Sequence, residues 1–263
     1  MTLTQLMTVL LAPILAVPAA GQFGITFDFE GTLSSGQQVI FQEAADTWEG
    51  YITGYQDGVT LDGITIKASD NLASDGVGGT IIGPAAPTSI LVQGSYILPV
   101  AGTIDFDAND VAAMEDDLFR FYITRAIGHV LGIGTLWSAN GVYTVGTGEY
   151  SGSFGLEAYQ EEFDGSAIFI PVELGETTQR YWDEVDEGAS LTGITDAYGR
   201  DLANELMTGW LGPDAEDTFI SETTVMSLQD LGYMVQYSIP EPSQMMLLSL
   251  GALLPLARRR RRT

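Results

Sequence analysis

Three positions in one short stretch, 125, 126 and 129, have the spacing of a metal-binding motif. A zinc site of the His-Glu-x-x-His type needs two histidines four residues apart on one helix face, and a glutamate between them that takes a proton from the metal-bound water. Here the three positions hold Arg125, Ala126 and His129. Arginine offers only hydrogen-bond donors and alanine accepts no proton, so neither can do the required chemistry. His129 is the only histidine in the chain, so no distant histidine can complete the set.

The residues around this stretch resemble those of bacterial leishmanolysin-like peptidases, a branch of the metzincins. The segment Gly128–Trp137 is similar to the end of their active-site helix, where a glycine three residues after the second histidine turns the chain. Gly132 has that place. Four more segments resemble family segments in the same order: the first helix at 41–49, a glycine-rich strand entry at 75–79, the methionine turn at 204–210 and the closing helix at 227–233.

This resemblance spans about residues 24–236, and it implies a fold and a set of site residues. The implied fold is α+β and metzincin-like, with a twisted, mostly parallel sheet, two long helices and a helical C-terminal lobe. Met207 is expected in a turn beneath the former metal site. The third ligand position falls at Tyr181, or in a different register at Asp196. The degenerate site would then comprise Arg125, Ala126, His129, Tyr181 and Met207.

We therefore expect that zinc has been lost and that the protein has a binding or matrix role without catalysis. A tyrosine hydroxyl is a poor ligand near neutral pH, because its pKa is about 10. The Arg125 guanidinium is expected to fill the metal's place, paired with a carboxylate. The candidate partners are Asp183, Asp196 and Glu205. The alternative is a divergent zinc metalloendopeptidase that binds metal through His129, Asp196 and Glu205.

The elements that would position these residues follow from hydrophobic spacing and turn residues. Helical spacing predicts a helix over 34–51 and a second one from 107–110 to about Leu131. Residues 138–196 should be mostly loops. Strands are predicted at 24–30, 64–67, 79–82, 89–92 and 102–106, and further helices at 201–210 and 221–231.

A faint calcium-loop pattern precedes the second of these helices, in Asp105-x-Asp107-x-Asn109. It lacks the glycine at the sixth position and the final glutamate of such a loop. Helix capping by Asp107 or Asn109 is therefore the preferred interpretation.

The N-terminus, residues 1–21, is predicted to be a secretory signal peptide. The apolar run Leu6–Val17 is followed by the small residues Pro18-Ala19-Ala20-Gly21, although no lysine or arginine precedes the run. Signal peptidase would remove it and leave a domain at 22–236.

The C-terminal tail, residues 237–263, has three parts in a fixed order. These are Pro240, Glu241 and Pro242, then 13 mostly apolar residues at 245–257, then the arginines Arg258, Arg259, Arg260, Arg261 and Arg262. A helix of that length covers about 20 Å, less than the roughly 30 Å hydrocarbon core, and the arginines would stay on the cytoplasmic side. This order is similar to the PEP-CTERM sorting signal. The likeness implies processing by exosortase, transient anchoring in the inner membrane, and a final place at the cell surface or outside it. A permanent tail anchor is the alternative.

The charge of the predicted mature body excludes some partners. Residues 22–238 hold 34 acidic and five basic residues, which gives about −29, and the chain has no cysteine. Such a charge opposes binding to nucleic acids and to anionic lipid. The sequence does not identify the binding partner, for which a peptide or an extracellular polysaccharide is a candidate.

Overall fold

The computed structural model describes residues 23–72, 82–175, 180–184, 190–209 and 217–237. The predicted signal peptide, the segment 75–79 and the tail from residue 238 onward lie outside these ranges. The strands are β1 (Ile25–Glu30), β2 (Ile52–Tyr55), β3 (Ile64–Leu72), β4 (Ile82–Gln93), β5 (Tyr96–Asp107), β6 (Glu149–Tyr150), β7 (Ile170–Pro171) and β8 (Tyr233–Val235). The helices are α1 (Ser35–Tyr51), α2 (Ala108–Ala113), α3 (Asp116–Leu131), α4 (Ser153–Glu162) and α5 (Glu222–Asp230). The fold is therefore mixed α+β, as expected.

The main sheet has four strands in the order β1-β3-β5-β4. The pairs β1–β3 and β3–β5 are parallel, and β4 pairs antiparallel with β5 at one edge. The sheet is thus partly parallel. Strands β3, β4 and β5 have 9 to 12 residues and extend well beyond the predicted short strands. Pro84 and Pro87, which indicate turns in the sequence, lie in the edge strand β4, where a missing backbone donor is tolerated.

Helices α1 and α3 pack against each other beside this sheet and carry much of the core. Helix α1 begins with a capping box, in which the Ser34 side chain accepts from the Gln37 backbone and Gln37 reaches back to Ser34. The fully buried Trp48 donates its ring N–H to the carbonyl of Thr124 at 2.8 Å, which fixes α1 against α3. Phe41 packs edge-on against both Phe106 of β5 and Phe119 of α3.

The prediction of one helix from 107–110 to Leu131 was wrong, because the chain forms two helices there. Met114 and Glu115 have extended backbone angles, with ψ of 138° and 149°, and they separate α2 from α3. Asp116 and Asp117 then fall in the first turn of α3, where acidic residues favour a helix start. The capping interpretation is confirmed: the Asp107 carboxylate accepts from the Asn109 backbone N–H at 2.7 Å.

The predicted helix over 201–210 was also wrong, so the C-terminal lobe is less helical than expected. Within 201–209 only a single 3₁₀ turn forms, at Leu202–Asn204, and Glu205 is extended. Neighbouring chain segments take the backbone hydrogen bonds that a helix would use. The Leu206 N–H donates to the Phe219 carbonyl at 2.8 Å, and the Met207 carbonyl accepts from Trp182 at 3.0 Å. The helix predicted over 221–231 is present as α5, capped by Ser221, and it packs on α4.

The segment 138–196 contains the short pair β6–β7 and helix α4 among its loops. In the parts of the chain described above, no helix has the length and apolar character needed to cross a membrane.

Candidate functional site

The C-terminal end of α3 sets the position of His129. Gly132 ends the helix with φ of 115°, a left-handed conformation that glycine adopts at little cost. The chain then turns back, so that the Ile133 N–H donates to the Gly128 carbonyl at 3.0 Å and the Thr135 hydroxyl donates to the His129 carbonyl at 2.6 Å. The turn predicted from Gly132 is therefore present.

The His129 ring has one satisfied and one unsatisfied nitrogen. Its Nδ1 lies 3.0 Å from the Ile133 carbonyl oxygen; since a carbonyl only accepts, Nδ1 carries the hydrogen and Nε2 carries a lone pair. Nε2 is buried and has no hydrogen-bond partner among the described residues. Burial, and then the positive charges of Arg125 and Arg180, lower the pKa of His129 to about 3. The ring is therefore neutral at ordinary pH.

Arg125 lies one turn before His129 and is only 4% exposed. Its guanidinium donates to the carbonyls of Leu206 at 3.2 Å and Gly209 at 3.3 Å, and lies 4.3 Å from the ring centroid of Tyr181. Burial lowers its pKa from the ordinary value, but an arginine keeps its charge in proteins. Carbonyl dipoles and an aromatic face thus surround the cation.

The expected ion pair of Arg125 with a carboxylate is not formed among the described residues. Asp196 pairs with Arg200 at 2.6 Å. Glu205 is buried and accepts from the Met207 N–H, from Ser221 and from the Thr224 hydroxyl at 2.6 Å, so it ties the 205–207 turn to the start of α5. Burial raises the pKa of Glu205 despite these donors. Asp183 likewise forms no ion pair with Arg125.

Tyr181 is held beside His129 by the residues on either side of it. The ring centroids of Tyr181 and His129 lie 5.0 Å apart in an edge-on arrangement. The backbone of Arg180 packs so closely on Gly134 that a Cβ there would lie 2.2 Å from the Arg180 carbonyl oxygen. Trp182 is buried and stacks on Trp137, with centroids 4.5 Å apart. Two residues were expected at the third ligand position, Tyr181 and Asp196. The structure brings Tyr181, and not Asp196, next to Arg125 and His129.

Met207 packs against α3 at Gly128, the residue before His129. It is fully buried, and a Cβ placed on Gly128 would lie 3.0 Å from its sulfur atom and equally close to the Trp48 ring. The small residue at 128 therefore permits close packing between α3 and the 205–207 turn. These contacts place Met207 against α3 at Gly128, and its expected role beneath a former metal site stays a prediction.

A cavity of about 390 Å³ opens beside these residues. It is lined by Gly83, Pro84 and Ala85 of β4, by Arg125, Ala126 and His129 of α3, and by Arg180 and Tyr181. Arg180 and the β4 residues could not be predicted from the sequence, because only the fold brings them to α3. The cavity presents two cations and one buried acceptor, and Ala126 supplies no acid or base. Within the described ranges, no group of three or more histidine, aspartate or glutamate residues could hold a metal ion.

Comparison with known families gives one result, and it concerns the tail. Residues 238–262 match the model of the PEP-CTERM protein-sorting motif. The match confirms the predicted sorting signal and supports export with processing by exosortase. No curated protein matches the chain. For the folded domain, the likeness to leishmanolysin-like peptidases stays a prediction.

Proposed function

We propose that this is an exported, exosortase-processed protein whose domain is a metzincin-like scaffold without a working zinc site. In this proposal the domain serves as a non-catalytic binding module at the cell surface or in the extracellular matrix. One observation carries it: Arg125, Ala126, His129 and Tyr181 surround a single cavity, with an arginine where the motif requires its first histidine.

The side chains at the cavity support binding over catalysis. A guanidinium has no lone pair for a metal and repels a dication. Ala126 stands where a general base would activate water, and the other titratable side chains at the cavity are a neutral histidine and a tyrosine. These groups can hold a ligand, and the lowered pKa of His129 makes it only a weak base toward a water molecule.

The competing proposal is a metalloendopeptidase that binds metal through His129, Asp196 and Glu205. The structure gives it little support, because Asp196 is bound by Arg200 and Glu205 by the donors of Met207, Ser221 and Thr224. Both carboxylates would have to give up these partners before they could bind a metal ion together with the Nε2 atom of His129.

Metal content and proteolysis decide between the two proposals. We expect the purified exported protein to contain far less than one equivalent of zinc and to show no chelator-sensitive cleavage of casein. A His129→Ala variant should then behave like the unmodified protein in both assays. One equivalent of zinc, together with cleavage that a chelator and His129→Ala both abolish, would overturn the non-catalytic function.

A further inference from the structure

The cavity beside α3 differs from the rest of the domain in its charge. Of the five basic residues in the body, three pair with carboxylates: Lys67 with Glu30 at 2.7 Å, Arg120 with Glu43 at 2.8 Å, and Arg200 with Asp196 at 2.6 Å. The other two are Arg125 and Arg180, and the structure records no ion pair for either among the described residues. In a body of about −29, both of these cations line the same cavity.

The same cavity contains a buried hydrogen-bond acceptor, the Nε2 atom of His129. His129 is 6% exposed, and Nε2 is the ring atom turned away from the Ile133 carbonyl. It has no hydrogen-bond partner among the described residues. A buried acceptor without a donor is destabilising, and a ligand that donates a hydrogen bond to it recovers that loss.

We propose that this cavity binds a carboxylate that carries a neighbouring hydroxyl group, as in a hydroxy acid or a single acidic sugar residue. The carboxylate would lie between Arg125 and Arg180, and the hydroxyl would donate to Nε2 of His129. Two N–H groups of Arg125 are used by the carbonyls of Leu206 and Gly209, and a guanidinium has five in total, so donors remain for the ligand. This inference rests on the proposed function, in which the cavity is a binding site.

Size and charge restrict the ligand further. A cavity of about 390 Å³ is within the range of small-molecule sites and has room for a monosaccharide. A ligand with many carboxylates would be repelled by the acidic surface of the domain, so a single negative charge is favoured. A fully ionised phosphate or sulfate would satisfy the cations but would offer no hydrogen to Nε2. Selectivity should therefore require both the carboxylate and the hydroxyl group.

Calorimetric titration of the purified exported protein with three small probes tests these requirements. Glucuronate has both groups, glucose lacks the carboxylate, and acetate lacks the hydroxyl. We expect glucuronate to bind more tightly than acetate, and glucose to show no binding. Arg180→Ala should weaken glucuronate binding about tenfold, as expected for the loss of a charge-assisted contact. Arg180 is exposed, so the variant should keep the fold.

Three further variants separate the cavity from general charge effects. Lys67→Ala also removes one exposed cation, but it lies outside the cavity lining and should bind glucuronate like the parent protein. Ala126→Leu should fill part of the cavity and abolish binding, with circular dichroism to confirm that the fold is kept. His129→Phe should remove the preference for glucuronate over acetate, because a phenyl ring accepts no hydroxyl hydrogen bond of comparable strength.

Several results would overturn the inference. These are no glucuronate binding at tens of millimolar, an equal loss in Arg180→Ala and Lys67→Ala, or tighter binding of acetylated amino acids and short peptides than of glucuronate. The last result would assign the cavity to peptide carboxylates. If glucuronate fails to bind and zinc is also absent, the inference is wrong while the non-catalytic function stands. Zinc with chelator-sensitive proteolysis would instead remove the proposed function itself.

Discussion

The guanidinium of Arg125 lies 4.3 Å from the centroid of the Tyr181 ring. Arg125 is buried, and no carboxylate of the described residues forms an ion pair with it. A cation in such a place is stabilised by the negative face of the aromatic ring and by oriented carbonyl dipoles. Tyr181 also packs edge-on against the His129 ring, with centroids 5.0 Å apart. It thereby joins helix α3 to the 180–184 segment, and the Arg125 bonds to Leu206 and Gly209 join the helix to the 205–209 turn.

The first prediction compares two arginines on α3. Arg125→Ala should lower the free energy of unfolding by about 2–4 kcal/mol, since it leaves two carbonyls without donors and removes a desolvated cation–π contact. Arg120→Ala is the matched control: Arg120 is partly exposed and pairs with Glu43 and Asp117, so its loss should cost about 0–1 kcal/mol. Urea denaturation measures both values. Equal losses of unfolding free energy in the two variants would mean that Arg125 stabilises the fold no more than the partly exposed Arg120.

The second prediction concerns pH. The pKa of His129 is about 3 in the folded protein and about 6.5 in the unfolded chain, so lowering the pH protonates the unfolded chain first. The stability due to His129 is fully present above about pH 6.5 and is lost as the pH falls toward 3. Between about pH 7.5 and about pH 5 this loss should reach about 2 kcal/mol.

His129→Gln isolates this contribution, because all carboxylates titrate in both proteins. The free energy of unfolding of the variant should fall less steeply over the same pH range. Parallel curves of unfolding free energy against pH would show that the His129 ring takes up its proton in the folded protein as it does in the unfolded chain, contrary to the prediction.

The third prediction compares two glycines in helices. Gly128→Ala places a methyl group 3.0 Å from the Met207 sulfur and from the Trp48 ring, and such overpacking typically costs about 1–3 kcal/mol. Gly50→Ala, near the end of α1, meets no atom within 4 Å and should stabilise the protein by up to about 1 kcal/mol through helix propensity. Thermal unfolding should therefore show shifts of opposite sign. A stabilising Gly128→Ala would contradict the close packing of α3 on Met207.

The fourth prediction follows from the proposed origin of the site. Arg125→His, Ala126→Glu and Tyr181→His, introduced together, should let the protein retain about one equivalent of zinc after dialysis. A double variant with Arg125→His and Ala126→Glu but with Tyr181 unchanged should retain less zinc, because one protein ligand is missing. If the folded triple variant binds no zinc, the side chains at these three positions do not meet at one metal site.

The fifth prediction concerns the tail. Mass spectrometry of the mature protein should show a C-terminus near Pro240–Pro242, with the arginine cluster removed. Replacing Glu241 with alanine, or deleting the five arginines at 258–262, should impair processing and leave a longer form in the membrane fraction. An intact C-terminus in the unmodified protein would identify the segment as a permanent anchor.

The sequence by itself determined the helix ends and the sorting tail of this protein, because these depend on short local patterns. The helix end at Gly132 and the cap at Asp107 depend on neighbouring residues, so local residue types and spacing predict them. The sorting tail is also local, because the order of its three parts carries the signal. The absence of a second histidine is likewise evident from the sequence alone.

The tertiary structure decided the rest, because long-range contacts override local propensity. Residues 202–209 have a helical pattern, but Trp182 and Phe219 take their backbone hydrogen bonds and Glu205 is bound to α5. Only the fold shows that Arg125 is bound by carbonyls and an aromatic ring, and that Arg180 and β4 complete the cavity. The sequence shows which groups are available, but segments far apart in the chain determine which of them meet.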